Sequence, residues 1–420
     1  MTSKNSLRER PLSRRWFLGI VPVAVAGLAA CSGSTIGPAS SSASSTASAA
    51  SSAVATGAAA AGSVAAFAQA FYKTLTPEQQ PTVLLDYSLA TAERWSNLPQ
   101  GLLGGSTGGG GGMPSGMPSG GPDGDGSGRP SGMPSGGPAG GGSGGAGGGS
   151  QSRVGLSLGD LTEDQLAAFT AMIKAATGSG TGTGYDAIEQ HLNADDYLAA
   201  NGGGDDYGRK NYYVALLGSP QDSGTWELQF GGHHLAVANT YTDGQLAGAT
   251  PSFRGIEPNG AFDLDGRTNE PMKVKEAAFT ALLTGLGADQ LAKAKLSDTF
   301  TDLVLTPGKD WAFPTSKEGV QVSEFSAAQQ KLVTAAIASY VEDIADADAK
   351  TILARYSDEL ADTYVAYAGT VALTEQNDYV RIDGPSVWIE FSMQHGIVLA
   401  GNHPHSVWRD RTTDYGGTRS

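Results

Sequence analysis

A glycine-rich tract interrupts the chain and limits how much of it can form a core. Of the 60 glycines, 25 lie between Gly101 and Gly149, where Gly-Met-Pro-Ser occurs three times. Such a segment buries too little apolar surface to offset the entropy lost on ordering it. We therefore predict that residues 101–150 are a disordered insertion, and that residues 64–100 and 151–420 build one globular domain around it.

The first 31 residues have the features of an export signal. Arg14 and Arg15 precede an apolar run from Trp16 to Ala30, which is the order typical of a twin-arginine signal peptide. The run is shorter than the roughly 20 residues that a membrane span needs. It ends in Leu-Ala-Ala-Cys31, which resembles a lipobox. The alternative is an uncleaved anchor in which the cysteine is incidental.

This signal predicts where the protein is located. We expect a lipoprotein that is exported and held by lipid on Cys31 at the outer face of the cell membrane, or on its periplasmic side. Residues 32–63 are mostly Ser, Ala and Thr, so they would form a flexible tether between the lipid and the domain.

Net charge excludes one class of partner. The signal peptide carries +4, so a formal charge of −15 for the whole chain leaves −19 for the mature part. A surface this acidic repels phosphate backbones, so we expect no nucleic-acid partner. With a single cysteine, the chain has no intrachain disulfide.

Hydrophobic periodicity predicts an α+β fold. A helix should begin at Val64, and a second one, with Thr76 as its cap, should run to about Trp95. Further helices are predicted at 162–176, 184–199, 272–286, 288–296, 324–345 and 348–362, and strands at 212–217, 226–230, 233–241, 299–305, 379–383, 386–393 and 396–401. The strands form two groups with helices between them, which favours helices around one or two mostly antiparallel sheets.

Histidines are concentrated in two short segments. His233 and His234 follow Gly231-Gly232, which we expect to be a turn, and His403 and His405 flank Pro404. Residues two apart on a strand face the same side, so His403 and His405 would offer two imidazoles to one metal. Because adjacent strand residues face opposite sides, only one of His233 and His234 would join them.

These histidines predict a transition-metal site. Imidazoles with one carboxylate suit Zn, Cu or Fe. Glu390 would be a fourth ligand or a general base, and Arg409 would neutralise an anionic substrate. The alternatives are a polar His-Pro-His loop, structurally hydrogen-bonded histidines and a solvent-facing Glu390.

Three other residues have weaker signals. Glu257, in a predicted turn, is a possible further carboxylate. His395 is expected in a hairpin turn, and His191 at the surface just after a helix.

Several segments of the domain resemble the domain-of-unknown-function family 3500. The resemblance covers about Ala65 to Gly416 and rests on the segments Ala92–Pro99, Phe230–Leu235, Pro251–Pro258, Val387–Phe391, Asn402–Asp410 and Asp414–Gly416. Pro404 stands where that family often has an aliphatic residue, which leaves the His-x-His spacing intact. The resemblance implies one continuous domain with the glycine tract inserted, and it carries no assigned function.

The sequence therefore leads to two functional hypotheses. The first is a metal-dependent enzyme, a hydrolase or an oxidoreductase, acting on a small or anionic molecule outside the membrane. The second is a surface-tethered protein that binds a metal or another ligand without turnover. Scattered histidines would instead favour a purely structural envelope protein.

Overall fold

The computed structural model describes residues 58–103 and 153–419, all of which belong to one compact unit. Its α-helices are, in chain order, α1 Val64–Thr74, α2 Gln80–Val83, α3 Leu89–Ala92, α4 Glu163–Ala176, α5 Gly184–Leu198, α6 Lys273–Thr284, α7 Ala288–Ala294, α8 Ala327–Val341 and α9 Asp346–Asp358. Its strands are β1 Leu84–Leu85, β2 Leu156–Ser157, β3 Tyr213–Leu217, β4 Thr225–Gly232, β5 Leu235–Thr242, β6 Gln245–Gly248, β7 Ser252–Gly255, β8 Phe262–Leu264, β9 Arg267–Asn269, β10 Val320–Gln321, β11 Tyr364–Ala368, β12 Tyr379–Asp383, β13 Val387–His395 and β14 Asn402–Asp410.

Within the described residues, one large sheet joins the two strand groups. Its central order is β1-β3-β4-β5-β7-β14-β13-β12-β11-β10, with β2 beside β3 and β6 beside β5, while β8 and β9 form a separate hairpin. The pairing of β1 with β3 is parallel and the other pairings are antiparallel. The predicted α+β class is therefore confirmed. The short strand β7 links the halves by pairing with both β5 and β14.

Helices cover one face of this sheet. The predicted capping box of α4 is present: the Thr162 hydroxyl accepts a hydrogen bond from the Gln165 backbone N–H, and the Gln165 Oε1 accepts one from the Thr162 backbone N–H. The apolar sides of α1, α4 and α5 pack on β3–β5, and those of α6, α8 and α9 pack on β11–β14. Burial of these stripes holds the helices in place.

The opposite face of the sheet is covered by irregular chain and by the short helix α3. Trp95, Leu303 and Leu305 from two such segments are buried against Trp388 of β13 and Val407 of β14. His403 and His405 lie on this same face, because every second residue of β14 points to it.

Most predicted elements are confirmed, but three are wrong. In place of the helix to Trp95 there are only the single turns α2 and α3, because the intervening β1 pairs with Leu216 and Leu217 of β3. Residues 299–305 form no strand, and 396–401 are the loop of the β13–β14 hairpin. Several strands have no counterpart among the predicted ones: β2, β6, β7, β8, β9, β10 and β11.

His191 was predicted at the surface, just after a helix, and this prediction is wrong. It lies within α5, is only 1% exposed, and its Nδ1 is 2.7 Å from the Ala187 carbonyl oxygen. Burial lowers its pKa to about 3, with Arg254 as the second cause. It is a structural core histidine.

Several predictions fall on residues that the structure does not describe. The twin-arginine signal, Cys31, most of the tether and residues 104–150 of the glycine tract lie outside the described residues. Among the helices that the structure does describe, none is long and apolar enough to cross a bilayer.

Candidate metal centre

His233 and His234 form the two-residue turn that connects β4 to β5. Gly232 is the last paired residue of β4, so both histidines lie outside the ladder. His234 has a φ of 62°, a left-handed conformation that histidine adopts more readily than most residues. A Cβ on Gly232 would lie 2.5 Å from the Tyr212 ring. The glycines thus permit close packing beside the turn, and the predicted Gly231-Gly232 turn is wrong by two residues.

On β14, His403 and His405 project to the same face of the sheet, as predicted. They pair with Gln394 and Ser392 of β13, and Pro404 between them points to the other face. His403 is buried and His405 is partly exposed, with 14% of its side chain accessible.

The structure brings His234, His403 and His405 together. Nε2 of His405 lies 3.2 Å from Nε2 of His234 and 3.3 Å from Nε2 of His403. The three potential ligand atoms all lie within 4.8 Å of one another. We call these residues the histidine trio; it is a group that could hold a metal ion.

The two short distances fit a tetrahedral metal centre. With metal–nitrogen bonds of about 2.0–2.1 Å, two ligands at a tetrahedral angle are separated by about 3.3 Å. The trio therefore already has two edges of such a polyhedron.

Asp302 orients the most exposed member of the trio. Its Oδ1 lies 3.1 Å from Nδ1 of His405. A carboxylate only accepts hydrogen bonds, so this contact places the imidazole proton on Nδ1 and leaves the Nε2 lone pair directed at the other two histidines. A carboxylate behind a histidine is a common outer shell of metal centres.

Burial keeps the other two imidazoles neutral near pH 7. It lowers the pKa of His403 to about 3, with the neighbouring His405 as the second cause. It also places the pKa of His234 well below its usual value, with His233 as the second cause. Metal ligation requires the neutral ring, so both histidines are in the competent state. In addition, the buried Nδ1 of His403 has no hydrogen-bond partner.

His233 supports the trio without joining it. Its ring stacks on that of His234 at a centroid distance of 3.6 Å. Its Nδ1 lies 2.7 Å from Oδ1 of buried Asp195, and Tyr212 donates a hydrogen bond to its carbonyl oxygen. His233 and Asp195 therefore brace one side of the His234 ring.

Glu390 is fully buried and all its contacts are structural. Its carboxylate accepts hydrogen bonds from the backbone N–H groups of Val304 and Leu305, from Trp388 Nε1 and from Tyr379 Oη. Burial raises its pKa, and these donors oppose the rise. Four donors occupy the carboxylate. Glu390 does not belong to the group of possible metal ligands that the trio forms.

Arg409 is likewise engaged elsewhere. Its Nε lies 2.7 Å from Oδ2 of Asp414 and its Nη2 lies 2.9 Å from Oδ1 of Asp310. The side chain is fully buried. These two ion pairs fasten β14 to the segments over the sheet, while the buried Nη1 has no hydrogen-bond partner.

The two remaining candidates lie near the same hairpin. Glu257 is buried, and its Oε1 accepts hydrogen bonds from the backbone N–H groups of Val398 and Leu399, so it holds the β13–β14 loop. His395 is the exposed last residue of β13. Neither belongs to the trio.

Asp302 is the residue that sequence reasoning missed. It is 103 positions from His405, in a segment predicted to be a strand. No local pattern marks it, because the contact arises only when an irregular segment crosses the sheet.

One known protein family matches the domain. A family model described as "Protein of unknown function (DUF3500)" matches residues 149–417, which contain the whole trio and Asp302. The N-terminal part of the predicted resemblance, Ala65 to Pro99, lies outside this match. Comparison with curated proteins gave no match, and comparison with solved structures gave none either. On the family match, the chain belongs to the DUF3500 family.

Proposed function

We propose that this chain is a metal-dependent enzyme, a hydrolase or an oxidoreductase, whose centre is a transition metal bound by His234, His403 and His405. The observation that carries the proposal is the meeting of three imidazole Nε2 atoms from two segments 171 residues apart. Because His405 donates Nδ1–H to Asp302, its single Nε2 lone pair faces two neighbouring nitrogens. A cation satisfies all three lone pairs at once.

The number of ligands favours a catalytic centre over a structural one. Structural zinc sites are closed by four protein ligands, whereas catalytic sites have three and leave a position open. Among the described residues, the group contains three histidines and no carboxylate or thiolate. A metal in this position would supply Lewis acidity or redox chemistry to a small molecule.

Three imidazole ligands do not select one metal, so the identity of the ion is to be measured. Zn, Cu and Fe all accept this donor set. The roles of the protein follow from the contacts: the trio holds the ion, Asp302 fixes the His405 tautomer, and partly exposed His405 borders the approach from solvent. Since Arg409 is paired with Asp310 and Asp414, we propose a small uncharged substrate over an anionic one.

One observation favours a second candidate, a protein that binds metal without turnover. His234 and His403 are only 6% and 3% exposed, so the ion would be reached mainly past His405. A narrow access route to the ion suits a protein that stores or transfers metal. The discriminating measurement is whether a small exogenous ligand such as azide or cyanide changes the spectrum of the metal-loaded protein, because a closed site would not respond.

We further propose that the protein is an exported lipoprotein tethered through Cys31. The supporting features are the order Arg14-Arg15, apolar run, Leu-Ala-Ala-Cys, followed by the Ser/Ala-rich segment. Wild-type protein should fractionate with membranes and carry a lipid mass on Cys31. A Cys31→Ser variant should lose that mass, and detection of unlipidated wild-type protein would contradict the proposal.

The metal proposal has a direct test with an internal control. Protein purified without an affinity tag and reconstituted with Zn²⁺, Cu²⁺ or Fe²⁺ should hold about one ion per chain by elemental analysis. His405→Gln should reduce this strongly. His395→Gln, which changes an exposed histidine outside the trio, should not. Wild-type protein that retains no metal after reconstitution would remove the proposal.

A further inference from the structure

An irregular segment crosses the face of the sheet opposite the long helices, beside the histidine trio. We call residues 300–305 the strap. The Phe300 ring stacks on that of Tyr379 at a centroid distance of 3.9 Å and an angle of 8°. Asp302 contacts His405, while Leu303 and Leu305 are buried. The strap is thus attached to the sheet at several successive points.

The strap follows a row of paired residues. Tyr379 of β12 pairs with Ser392 of β13, and Ser392 pairs with His405 of β14. Directly paired residues present their side chains on the same face. Phe300 and Asp302 therefore contact the two ends of one row.

Glu390 clamps the other end of the strap. Its Oε2 accepts from the Val304 N–H at 2.5 Å and its Oε1 accepts from the Leu305 N–H at 2.9 Å. Trp388 and Tyr379 donate to the same carboxylate and hold it in place. Because the strap forms no ladder here, loss of the carboxylate would leave backbone donors without a partner.

We propose that Glu390 is a positioning residue of the metal centre, acting through the strap to keep Asp302 against His405. By holding Asp302, it determines which nitrogen of His405 carries the proton and which faces the metal. The effect on metal affinity rests on the proposed function, whereas the effect on the tautomer does not require a metal.

A double-mutant cycle tests this route of action. Zn²⁺ affinity would be measured by chelator competition for wild type, Glu390→Gln, Asp302→Asn and the double variant. Loss of an outer-shell partner typically weakens metal binding by about 10–100-fold. Each single variant should show such a loss, and the double variant should bind no more weakly than Asp302→Asn alone. Losses that multiply, or an unchanged affinity in Glu390→Gln, would overturn the proposal.

The matched control is Glu359→Gln. Glu359 also clamps chain with its carboxylate, accepting from the Ser386 N–H at 2.9 Å and the Ser386 hydroxyl at 2.7 Å, next to the opposite end of β13. It should leave Zn²⁺ affinity unchanged. If Glu390→Gln does not fold, Phe300→Leu loosens the strap at its other attachment and takes its place in the cycle, with the same non-additive result expected.

A metal-free readout separates this proposal from the metal proposal. Nitrogen-15 chemical shifts of His405 report its tautomer directly, and wild type should carry the proton on Nδ1. Glu390→Gln should shift the ring toward a mixture of tautomers, as should Asp302→Asn, while Glu359→Gln should not. Wild type that binds none of Zn²⁺, Cu²⁺ and Fe²⁺ would refute the proposed function alone. A His405 tautomer unaffected by Glu390→Gln would refute the role of the strap.

Discussion

His234 and His405 meet across Gly255, which has no side chain to keep them apart. Gly255 pairs with His405 in the β7–β14 ladder, and its N–H donates to the His234 carbonyl oxygen at 2.8 Å. A Cβ on Gly255 would lie 3.0 Å from Cδ2 of His234. The strand that joins the two halves of the sheet thus also leaves the space in which the rings converge.

Adding a single methyl group at this position should therefore disturb the trio. We expect Gly255→Ala to weaken Zn²⁺ binding by at least tenfold, because the His234 ring must move by a few tenths of an ångström or more. The measurement is chelator competition. Gly287→Ala is a suitable control, since its Cβ would meet nothing closer than 3.6 Å. Unchanged affinity in Gly255→Ala would show that the ring can shift without cost.

His233 is expected to be dispensable for metal stoichiometry. In His233→Gln the side-chain amide can still donate to Asp195, and His234, His403 and His405 remain. Elemental analysis should find about one ion per chain, as in wild type, with affinity reduced modestly because the stacked ring is lost. If His233→Gln loses the metal altogether, His233 is itself a ligand and the proposed coordination is wrong.

Much of the fold follows from local sequence patterns. The helices α1, α4, α5, α6, α7, α8 and α9 were predictable because each has its own apolar period or cap. Two residues at positions 403 and 405 of an extended segment must share a face, so two of the three members of the trio were also predictable. The selection of His234 over His233 was not, because it depends on where the turn falls.

The contacts that could not be predicted join residues far apart in the sequence. β1 looks helical by sequence, yet it pairs with β3. The strap looks like a strand, since it is apolar, but Glu390 takes two of its N–H groups. Glu390 and Arg409 were predicted to act at the site because of their chemistry, whereas Glu390 binds the strap and Arg409 pairs with Asp310 and Asp414. Local patterns report propensity, while such partners are set by tertiary packing.

A buried carboxyl group should make stability depend on pH above the acid range. Burial raises the pKa of Glu227 to about 7, and Thr240 and Gln229 are its hydrogen-bond partners. Because the folded pKa exceeds the unfolded value, stability is fully present below about pH 4.5 and falls as pH rises through about 7. The free energy of unfolding of Glu227→Gln, relative to that of wild type, should rise by up to about 3 kcal/mol between pH 5 and pH 8, at about 1.4 kcal/mol per pK unit.

Chemical denaturation of metal-free protein at both pH values measures this difference. Glu163→Gln, at an exposed position in the first turn of α4, serves as a control and should show little change. A Glu227→Gln variant whose stability tracks that of wild type at both pH values would contradict the prediction.

Acid should destabilise the metal-free protein partly through His191. Burial lowers its pKa to about 3 in the folded chain, while an unfolded histidine titrates near 6.5. The unfolded state therefore binds the proton first, so the stability contribution is complete above about pH 6.5 and is lost as pH falls toward 3. The loss from one such group approaches about 1.4 kcal/mol per pH unit. In His191→Gln this share of the slope should disappear.

Urea denaturation with a chelator present, at pH 7.5 and pH 5, would measure how steeply stability depends on pH in wild type and in His191→Gln. The control is His395→Gln, which changes an exposed histidine and should retain the wild-type slope. Equal slopes for wild type and His191→Gln would mean that the buried ring accepts a proton without cost. The burial of the ring and the lack of a hydrogen-bond partner for its Nε2 argue against this.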